Sequence, residues 1–405
     1  MNILYIASSF IKKGSASVRN IALVNGLAEN GHSVDVLTQF WPEEMTDNYF
    51  LERVNKKVNI YYDQIKIINK FYSFKDTSNP SDENIVSIVL RSKIFKVLKE
   101  SIKYLYYYPE IDKEWIKNYN KDLNFSKYDI IISSSDTKTS HFVAANILKL
   151  YRNASWFQYW GDPWFDDAGT KGFRKIRAYF SEKYLLSKGD KIFYSSLPTQ
   201  IAMTKRYKDY SNKMFYLPRA YLNEVVGGSV VRDNIMFTYT GSIYYGRNIN
   251  PLIKSIENYN KTSDKKIILN IYGIYDDKTK DFLERVDFVK LHGHISYKGV
   301  IEVTSKSDVL IFLGNMDGSH QIPGKLYDYF GTNKVILALL ENIEDEVGKF
   351  IKETNRCTVF KNNVLEINLK EAVDEIGKQQ VLEEYSGKFQ ATRLLNQYTK
   401  SRCYK

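Results

Sequence analysis

The sequence predicts an α/β protein of two domains, each with a parallel sheet. The chain has 405 residues, which is too long for one ordinary hydrophobic core and suits two domains of roughly 200 residues each. Its opening alternates strand, loop, helix and strand, an order typical of a parallel sheet. A second series of strands and helices follows the polar stretch Asn223–Asn234, which contains the turn-forming pair Gly227-Gly228.

Apolar runs and helix-end signals define the predicted elements. The helix after the first strand places Ile21 and Val24 on one face and ends before Gly31. Strands are predicted at Asn2–Phe10, Ser33–Thr38, Tyr128–Ser134, Ser155–Tyr159, Lys191–Tyr194, Met214–Leu217, Met236–Thr240, Lys266–Tyr272, Val289–His292, Val309–Leu313 and Val335–Leu339. Further helices are predicted near Ile85–Tyr106, Lys113–Leu123, Ser140–Leu150, Phe173–Leu186 and Leu382–Tyr398, and from about Pro251. The expected organisation is a first domain at 1–217, a linker at 218–234, a second domain at 235–381 and a final helix within 382–405.

The composition is that of a globular protein with a basic first half. Apolar residues make up 43% and charged residues 26%, which excludes a disordered chain. The net charge is +11, and residues 1–217 hold 32 Lys and Arg against 23 Asp and Glu, so an anionic partner or a solvated basic surface is expected there. Two cysteines, Cys357 and Cys403, are too few for a disulfide framework or a zinc site. We also expect no signal peptide and no membrane-spanning segment.

The segment Pro323–Asp328 is the leading candidate for a phosphate site. Pro323 and Gly324 stand where a loop after a predicted strand turns into a helix, and the amides at a helix start bind phosphate. Lys325 adds a cation, and Asp328, one turn on, is placed to accept hydrogen bonds from ribose hydroxyls. An ordinary amphipathic helix is the alternative explanation, with core residues Leu326, Tyr329 and Phe330.

A second glycine-containing loop follows the first strand of the second series. In Thr240–Asn248, Gly241 and Gly246 allow close approach of the backbone, and Arg247 can engage a diphosphate through paired hydrogen bonds. Neither opening strand is followed by G-x-G-x-x-G, so NAD and FAD are disfavoured, and the chain holds no P-loop. Together with Lys325, this loop predicts a diphosphate-binding site.

The order of these features resembles the GT-B glycosyltransferases, specifically the retaining family 4 of capsule, O-antigen and exopolysaccharide assembly. That family carries a glycine followed by two basic residues five apart. Here Gly241 matches, Ser242 replaces the first basic residue and Arg247 matches the second. The family also carries two glutamates eight apart, at the positions of His320 and Asp328. The run Pro-Gly-Lys-Leu-Tyr-Asp is similar to a branch of the family in which its lysine takes over diphosphate binding, and His320 alters the usual contact to the donor sugar.

The resemblance implies a fold and a donor site. It implies two Rossmann-like domains with parallel sheets facing across a cleft, and a last helix that returns to the N-terminal domain. The second domain is implied to bind a nucleotide-diphosphate sugar, with a UDP-sugar as the expected donor. The implied donor-binding residues are Gly241, Ser242, Arg247, Tyr272, Gly273, Gly293, His294, His320, Pro323, Gly324, Lys325, Leu326 and Asp328.

The resemblance extends to the first domain, which is implied to bind the acceptor. His141 follows a serine-rich turn and is implied to contact the transferring sugar, with a histidine on a helix surface as the alternative. Asp162 lies in a Trp-Gly-Asp-Pro-Trp segment and is placed to bind an acceptor hydroxyl or to cap the turn before Pro163. The implied acceptor-binding residues are Gly14, Ser15, Arg19 and Asp162, and the implied catalytic residues are His141, Arg247 and Lys325.

The implied reaction transfers a hexosyl or N-acetylhexosaminyl group with retention at the anomeric carbon. In this family the departing phosphate is thought to help deprotonate an acceptor that attacks from the same face. The chain has no Asp-x-Asp, so we expect the leaving diphosphate to be neutralised by Arg247, Lys325 and helix amides, without a metal or any other cofactor. No carboxylate pair stands out as a nucleophile and an acid.

A lipid-linked saccharide acceptor and an anionic membrane surface are the other expected partners. Lys171–Lys191 contains seven basic residues against two acidic ones, interleaved with aromatic side chains, and this pattern predicts attachment to an anionic membrane. Arg91–Tyr108 is a second candidate segment. We therefore expect a cytoplasmic protein, peripheral on the inner face of the cell membrane, that binds no nucleic acid because it has no recognisable module for it.

Two other functions stay open at this point. One is a non-catalytic GT-B-like subunit that supports a partner glycosyltransferase, with Ser242 and His320 as signs of lost activity. The other is a sugar-nucleotide 2-epimerase, which shares the fold but needs several carboxylates and histidines in its cleft. Of the five histidines in the chain, only His141 and His320 are well placed for that chemistry.

Overall fold

The described residues of the computed structural model form two compact units. The structure describes residues 1–65, 108–135, 137–166, 170, 172–227, 232–243, 247–315 and 321–402. The first unit comprises Met1–Ser195, Gln200–Leu217 and Ala391–Lys405, and the second comprises Ser196–Thr199 and Pro218–Gln390. Each unit holds one parallel sheet with helices, which confirms the predicted α/β fold with two Rossmann-like domains.

The first sheet has seven parallel strands in the order β3-β2-β1-β4-β5-β6-β7. Its strands are β1 (Asn2–Ala7), β2 (Ser33–Gln39), β3 (Asn59–Asp63), β4 (Ile130–Ser135), β5 (Ser155–Trp160), β6 (Lys191–Tyr194) and β7 (Met214–Tyr216). All six residues of β4 are buried, as is typical of a parallel strand covered on both faces. Among the described residues, the helices preceding the second sheet are α1 (Ser15–Glu29), α2 (Asn48–Glu52), α3 (Thr139–Leu150), α4 (Phe173–Lys188) and α5 (Leu197–Arg206).

The second sheet has six parallel strands in the order β10-β9-β8-β11-β12-β13. Its strands are β8 (Asn234–Thr240), β9 (Lys266–Tyr272), β10 (Val289–Gly293), β11 (Val309–Leu313), β12 (Val335–Leu340) and β13 (Cys357–Lys361). The remaining helices are α6 (Asn250–Thr262), α7 (Asp277–Leu283), α8 (Tyr297–Ser305), α9 (Lys325–Phe330), α10 (Glu346–Glu353), α11 (Leu369–Val373) and α12 (Gly387–Arg402). The side chains of Asp276, Ser296 and Asp345 cap α7, α8 and α10 by accepting from backbone amides.

In both sheets, the side on which successive strands are added reverses near the middle of the strand order. In the first sheet the chain adds β2 and β3 on one side of β1 and then β4 on the other, and in the second sheet β9 and β10 precede β11 in the same way. Loops at the carboxyl ends of such neighbouring strands diverge and leave a crevice where ligands bind. The expected sites therefore lie after β1 and β4 in the first unit, and after β8 and β11 in the second.

The last helix packs in the first unit. Ala391 and Leu394 of α12 are completely buried. The ring of Tyr398 lies 6.3 Å from that of Phe157 on β5, and Asn30, just after α1, donates a hydrogen bond to Thr392. The predicted return of the final helix to the N-terminal domain is thus confirmed.

Two predicted helices differ from the structure, and two strands were not predicted. The helix predicted at Lys113–Leu123 is wrong, because only Lys113–Ile116 forms a short 3-10 helix there, where the Trp115 indole donates to Asp63. The last helix starts at Gly387 rather than Leu382, after a 3-10 turn at Glu383–Tyr385. Strands β3 and β13 were not predicted, and the helix expected near Ile85–Tyr106 lies outside the described residues.

Candidate functional site

Three neighbouring strands of the second sheet end in glycines that expose bare backbone. Gly241, Gly273 and Gly293 follow or end β8, β9 and β10 and have φ angles of 129°, 151° and 68°. Backbone hydrogen bonds join them, from Gly241 N to the Tyr272 carbonyl and from Gly273 N to the Gly293 carbonyl, both at 2.7 Å. A Cβ on residue 273 would lie 2.0 Å from the Gly241 carbonyl oxygen, so only glycine fits there. We call these three residues the glycine ledge.

Lys325 reaches the ledge from the first residue of α9. Its Nζ donates to the Thr240 carbonyl at 2.6 Å and lies 4.2 Å from the centre of the Tyr239 ring. A Cβ on Gly241 would come within 2.3 Å of the same Nζ, which shows how closely the ammonium group approaches the ledge. Burial and the nearby charge of Arg247 lower the pKa of Lys325 to about 7.

Arg247 lies on the other side of Gly241. Its Nη1 donates to the Ser242 carbonyl at 2.8 Å, and its Nη2 donates to the side chain of Asn315, after β11, at 2.9 Å. The buried Nε of Arg247 has no hydrogen-bond partner within the described part of the chain. The guanidinium is thus held in place by neutral oxygens and keeps one donor available.

Lys325 and Arg247 form a pair of cations that have no counter-anion among the described residues. They hold the carbonyls on either side of Gly241, and neither makes an ion pair with a carboxylate among the residues that the structure describes. Arg247 and Lys325 are both half-buried, so their like charges repel each other across a partly desolvated site, and this repulsion adds to the effect of burial in lowering the pKa of Lys325. This arrangement suits a ligand with more than one negative charge.

Asp328 pairs with Arg219, a residue that the sequence analysis did not single out. Arg219 Nη2 lies 3.4 Å from Asp328 Oδ2, and the Arg219 side chain is only 7% exposed. A Cβ on Gly324 would lie 1.8 Å from Arg219 Nη1, so Gly324 leaves room for this guanidinium beside α9. Burial raises the pKa of Asp328, while the charge of Arg219 and the Tyr297 hydroxyl oppose that rise.

The other predicted donor residues have different local surroundings. Tyr272, at the end of β9, stacks on His292 with the ring centres 4.3 Å apart, and His294 is exposed. Pro323 precedes α9, and its carbonyl accepts from the amide of Leu326, which is fully buried in the core. His320 lies outside the described residues. Helix α9 therefore serves both expectations, since Leu326, Tyr329 and Phe330 are core residues while Lys325 and Asp328 carry charge.

His141 is the centre of the candidate site in the first unit. It lies in the first turn of α3 and is completely buried, so it is not the helix-surface histidine of the alternative interpretation. Its Nδ1 is 2.7 Å from the Ser133 hydroxyl, and its ring stacks on Trp160 with the centres 4.3 Å apart. Burial, with the charges of Lys138 and Arg19, lowers the pKa of His141 well below its usual value. Its buried Nε2 has no hydrogen-bond partner in the described residues.

The structure places the predicted acceptor residues in two different settings. Gly14 and Ser15, at the start of α1, are exposed. Arg19 is buried, and its Nη2 lies 3.1 Å from the Ser134 hydroxyl, which follows His141's partner Ser133 along β4. Asp162 is exposed, and its carbonyl accepts from Lys138 Nζ at 3.0 Å. Arg19 and His141 therefore belong to one buried cluster, whereas Gly14, Ser15 and Asp162 lie at the surface.

Asp112 organises the loops around this cluster and was not predicted. Its carboxylate is completely buried and accepts from four side chains, which follow β1 or β4, end β2, or open α3. The donors and their distances are Ser8 at 2.9 Å, Gln39 at 2.7 Å, Thr137 at 2.8 Å and Thr139 at 2.6 Å. A carboxylate with four donors fixes the relative positions of these loops, including the start of the helix that carries His141.

Two properties of the described residues bear on cofactors and membranes. No group of three or more His, Cys, Asp and Glu side chains is arranged to hold a metal ion in that part of the chain. In the same part, every helix falls short of the length and hydropathy needed to cross a bilayer.

Comparison with known proteins identifies the fold. No family model and no curated protein matches the sequence. Sucrose-phosphate synthase from Thermosynechococcus elongatus aligns with a TM-score of 0.54 at 13% identity, over 100% of both chains. A putative UDP-N-acetylglucosamine 2-epimerase from Listeria monocytogenes gives 0.54 at 12%, over 100% of this chain and 97% of that one. Anabaena HepE, solved in complex with UDP and glucose, gives 0.53 at 9%, over 100% of both chains.

These likenesses extend over the whole chain and define its class. The protein has the GT-B fold of two Rossmann-like domains, which is found in glycosyltransferases and in sugar-nucleotide 2-epimerases. Identities of 9–13% carry the fold and no more, so the choice between these activities depends on the residues of the site.

Proposed function

We propose that this protein is a glycosyltransferase that takes a sugar from a nucleotide-diphosphate donor, with a UDP-sugar as the expected substrate. The observation that carries the proposal is the pair of cations Lys325 and Arg247, which hold the backbone on either side of Gly241 without a carboxylate partner in the described residues. A diphosphate supplies the charge that this pair lacks. The glycine ledge allows a pyrophosphate to approach the backbone without a side chain in its way.

In the proposed reaction, four donor-side residues of the second unit have distinct roles. Lys325 and Arg247 neutralise the negative charge that grows on the diphosphate as the bond to the sugar breaks, and this electrostatic stabilisation needs no protein nucleophile. Asp328, held by Arg219, accepts hydrogen bonds from the ribose hydroxyls. We propose that these two cations neutralise the leaving diphosphate without a metal ion. His320 alters the contact to the donor sugar, as the family resemblance implies.

The first unit supplies the histidine that contacts the transferring sugar. The lowered pKa of His141 keeps its imidazole neutral at neutral pH. Its Nε2, which has no hydrogen-bond partner within the described residues, is the atom that would bond to a sugar hydroxyl. We propose that Gly14, Ser15, Arg19 and Asp162 contribute to acceptor binding, with Arg19 acting through the buried cluster. The resemblance to family 4 further supports retention at the anomeric carbon, and a lipid-linked saccharide acceptor in surface polysaccharide assembly, at the cytoplasmic face of the membrane.

A thermal-shift screen with free nucleotides and nucleotide sugars tests the donor site. A ligand that binds only the folded state raises the melting temperature, by an amount that grows with ligand concentration. We expect UDP and UDP-sugars to raise it, and GDP- and dTDP-sugars to identify the nucleobase preference by comparison. Failure of every nucleoside diphosphate to shift the melting temperature would overturn the donor assignment.

Two variants test the roles of the cations. Lys325→Met removes a charge with little change in length, and Arg247→Ala removes the second cation. Each should lower transfer by about 100-fold or more, because the lost interaction is strongest in the transition state. Lys290→Ala is the matched control, since Lys290 is exposed on β10. Turnover near that of wild type in both site variants would rule out this mechanism.

A sugar-nucleotide 2-epimerase is the second candidate, favoured by the equally good match to the Listeria epimerase. The two activities differ in their products when UDP-N-acetylglucosamine is supplied alone. An epimerase converts it to the 2-epimer, whereas a transferase leaves it unchanged or hydrolyses it slowly to UDP and free sugar. Chromatography of the sugar nucleotides after incubation separates these outcomes. A chain that binds the nucleotide sugar yet shows neither reaction, with or without acceptor, would instead be a non-catalytic partner subunit.

A further inference from the structure

Helix α4 presents large apolar side chains to the outside as well as to the core. Its buried face consists of Ala178, Glu182, Leu185 and Leu186. On the opposite face, four large side chains follow one another at intervals of three or four residues and so form one stripe. They are Phe173 (65% exposed), Ile176 (56%), Phe180 (65%) and Tyr184 (38%). We call these four residues the α4 stripe.

Basic residues border the α4 stripe on both sides. Helical spacing places Arg177 and Lys188 along one edge and Lys183 along the other. The one acidic residue of α4 is Glu182, which is buried and accepts from the Trp164 amide at 2.6 Å and the Tyr207 hydroxyl at 2.7 Å. The outward face of the helix is therefore apolar in the middle and cationic at its edges.

A basic cavity continues this surface at the C-terminal end of α4. It has a volume of about 500 Å³ and is lined by Lys149, Arg152 and Lys188, with Tyr184 of the stripe at its border. The acidic residue in its wall, Asp190, already accepts from the Trp156 amide at 2.7 Å. Three bases around an open cavity suit a phosphate group, so the cationic character extends past the end of the helix.

We propose that the α4 stripe and this cavity dock the protein on a bilayer that contains anionic lipids. Phe173, Ile176 and Phe180 enter the boundary between head groups and acyl chains, while the bordering bases bind lipid phosphates. An exposed apolar stripe with basic edges is the pattern of helices that lie in a membrane interface. Charge complementarity favours an anionic bilayer over a second copy of this chain, because two cationic faces repel each other. The proposal does not rest on the transfer reaction.

Flotation of the full chain with vesicles tests the proposal. Vesicles of phosphatidylcholine alone are compared with vesicles in which part of it is replaced by phosphatidylglycerol. We expect the protein to float with the anionic vesicles and to remain behind with the neutral ones. Binding should weaken as salt is added, because salt screens the attraction between the bases and the lipid phosphates.

Two pairs of substitutions separate the apolar and the electrostatic contributions. Ile176→Ser with Phe180→Ser removes apolar contact, and Lys183→Ala with Lys188→Ala removes two charges. Each pair should lower the partition constant by about tenfold or more, given the contribution of each near-surface base and each buried apolar group. The matched controls lie in the second unit, where Leu365→Ser removes an apolar side chain that is 81% exposed and Lys265→Ala with Lys370→Ala removes two exposed charges.

Three results would overturn the proposal. The first is equal binding to neutral and anionic vesicles, and the second is unchanged binding by both stripe variants. The third is sedimentation of the wild type as a dimer that the Ile176→Ser, Phe180→Ser variant converts to a monomer, which would make the stripe a self-association surface. An unchanged melting temperature of the unliganded variants shows that they are folded, and because this control needs no nucleotide it keeps the test separate from that of the donor site.

Discussion

Lys325 combines a half-buried side chain with the absence of an anionic partner within the described residues. Its pKa of about 7 means that near neutral pH part of the free protein carries a neutral amine at this position. A bound diphosphate favours the charged form and raises that pKa, so binding takes up a proton. The electrostatic environment of one side chain thus couples donor affinity to pH.

The affinity for UDP should therefore fall as pH rises. Above a pH of about 7 the free protein must first protonate Lys325, and each further pH unit weakens binding by up to about tenfold until the pKa of the complex is passed. Isothermal titration between neutral and mildly alkaline pH, in buffers of different ionisation enthalpy, measures both the affinity and the protons taken up. In Lys325→Met the pH dependence should disappear. A wild-type affinity that is constant over this range would contradict the prediction.

Asp112 is a buried carboxylate whose four hydrogen bonds join loops of the first unit. Asp112→Asn turns one acceptor oxygen into an amide that meets other donors, and leaves buried hydroxyls unsatisfied. We expect a loss of about 1–3 kcal/mol in the free energy of unfolding. Urea denaturation measures it, and the exposed Asp122→Asn, expected to change stability by less than about 0.5 kcal/mol, is the control. Equal urea midpoints for the two variants would show that the four hydrogen bonds of Asp112 do not contribute measurably to stability.

The sequence predicts the site residues that lie in motifs, but it does not predict those whose role depends on tertiary contacts. Lys325, Arg247 and His141 follow strands in recognisable runs, and the structure puts each in a cluster of charged or polar groups. Arg219 follows β7 in no motif, and its role appears only because Gly324 and Asp328 come close to it 105 and 109 positions later. Asp112 likewise lies in a stretch without periodicity, where no local pattern marks its four donors.

At the scale of elements, the glycine ledge requires glycine at position 273. Gly273→Ala adds a methyl group 2.0 Å from the Gly241 carbonyl oxygen and strains a φ of 151°, so β8 and β9 must separate at their carboxyl ends. We expect destabilisation of about 3 kcal/mol or more. Gly377→Ala is the matched control, because its φ of 82° is strained but nothing lies within 4 Å of the added methyl.

Chemical denaturation of both variants measures this difference. The control should lose only about 1–2 kcal/mol from the backbone strain. If Gly273→Ala were no less stable than Gly377→Ala, the close contact between the two strand ends would not be a feature of the protein in solution.

Burial explains which elements the sequence predicts well. Strands β1 and β11 in the middle of the two sheets are continuous apolar runs with nearly every residue buried, so they are easy to recognise. The edge strand β13 is only half-buried, and its sequence Cys-Thr-Val-Phe-Lys lacks a long apolar run. Strand β3 at the other sheet's edge has the same weak pattern. In Lys113–Leu123, where a helix was wrongly predicted, apolar residues recur every four positions. Their side chains do pack into the core, but most of the backbone that carries them is irregular.

At the scale of the whole molecule, α12 should stabilise the first unit although it is last in the chain. Leu394→Ala removes a completely buried side chain and should cost about 2–5 kcal/mol. Hydrogen exchange followed by mass spectrometry should show faster exchange throughout the strands of the first unit and little change in those of the second. Phe389→Ala, on the same helix but 49% exposed, should leave both patterns unchanged. Faster exchange confined to the second unit would show that α12 stabilises that unit and would contradict the prediction.

The membership of α12 in the first unit also sets an order of events during synthesis. Strands β1 to β7 leave the ribosome long before Leu394 and Tyr398, which complete the layer over β5 and β7. The unit that is translated first is therefore finished last, after the whole second unit has emerged. Until then its nascent core exposes Phe157 and its neighbours, so a chain that stalls before α12 is a natural substrate for chaperones and proteases.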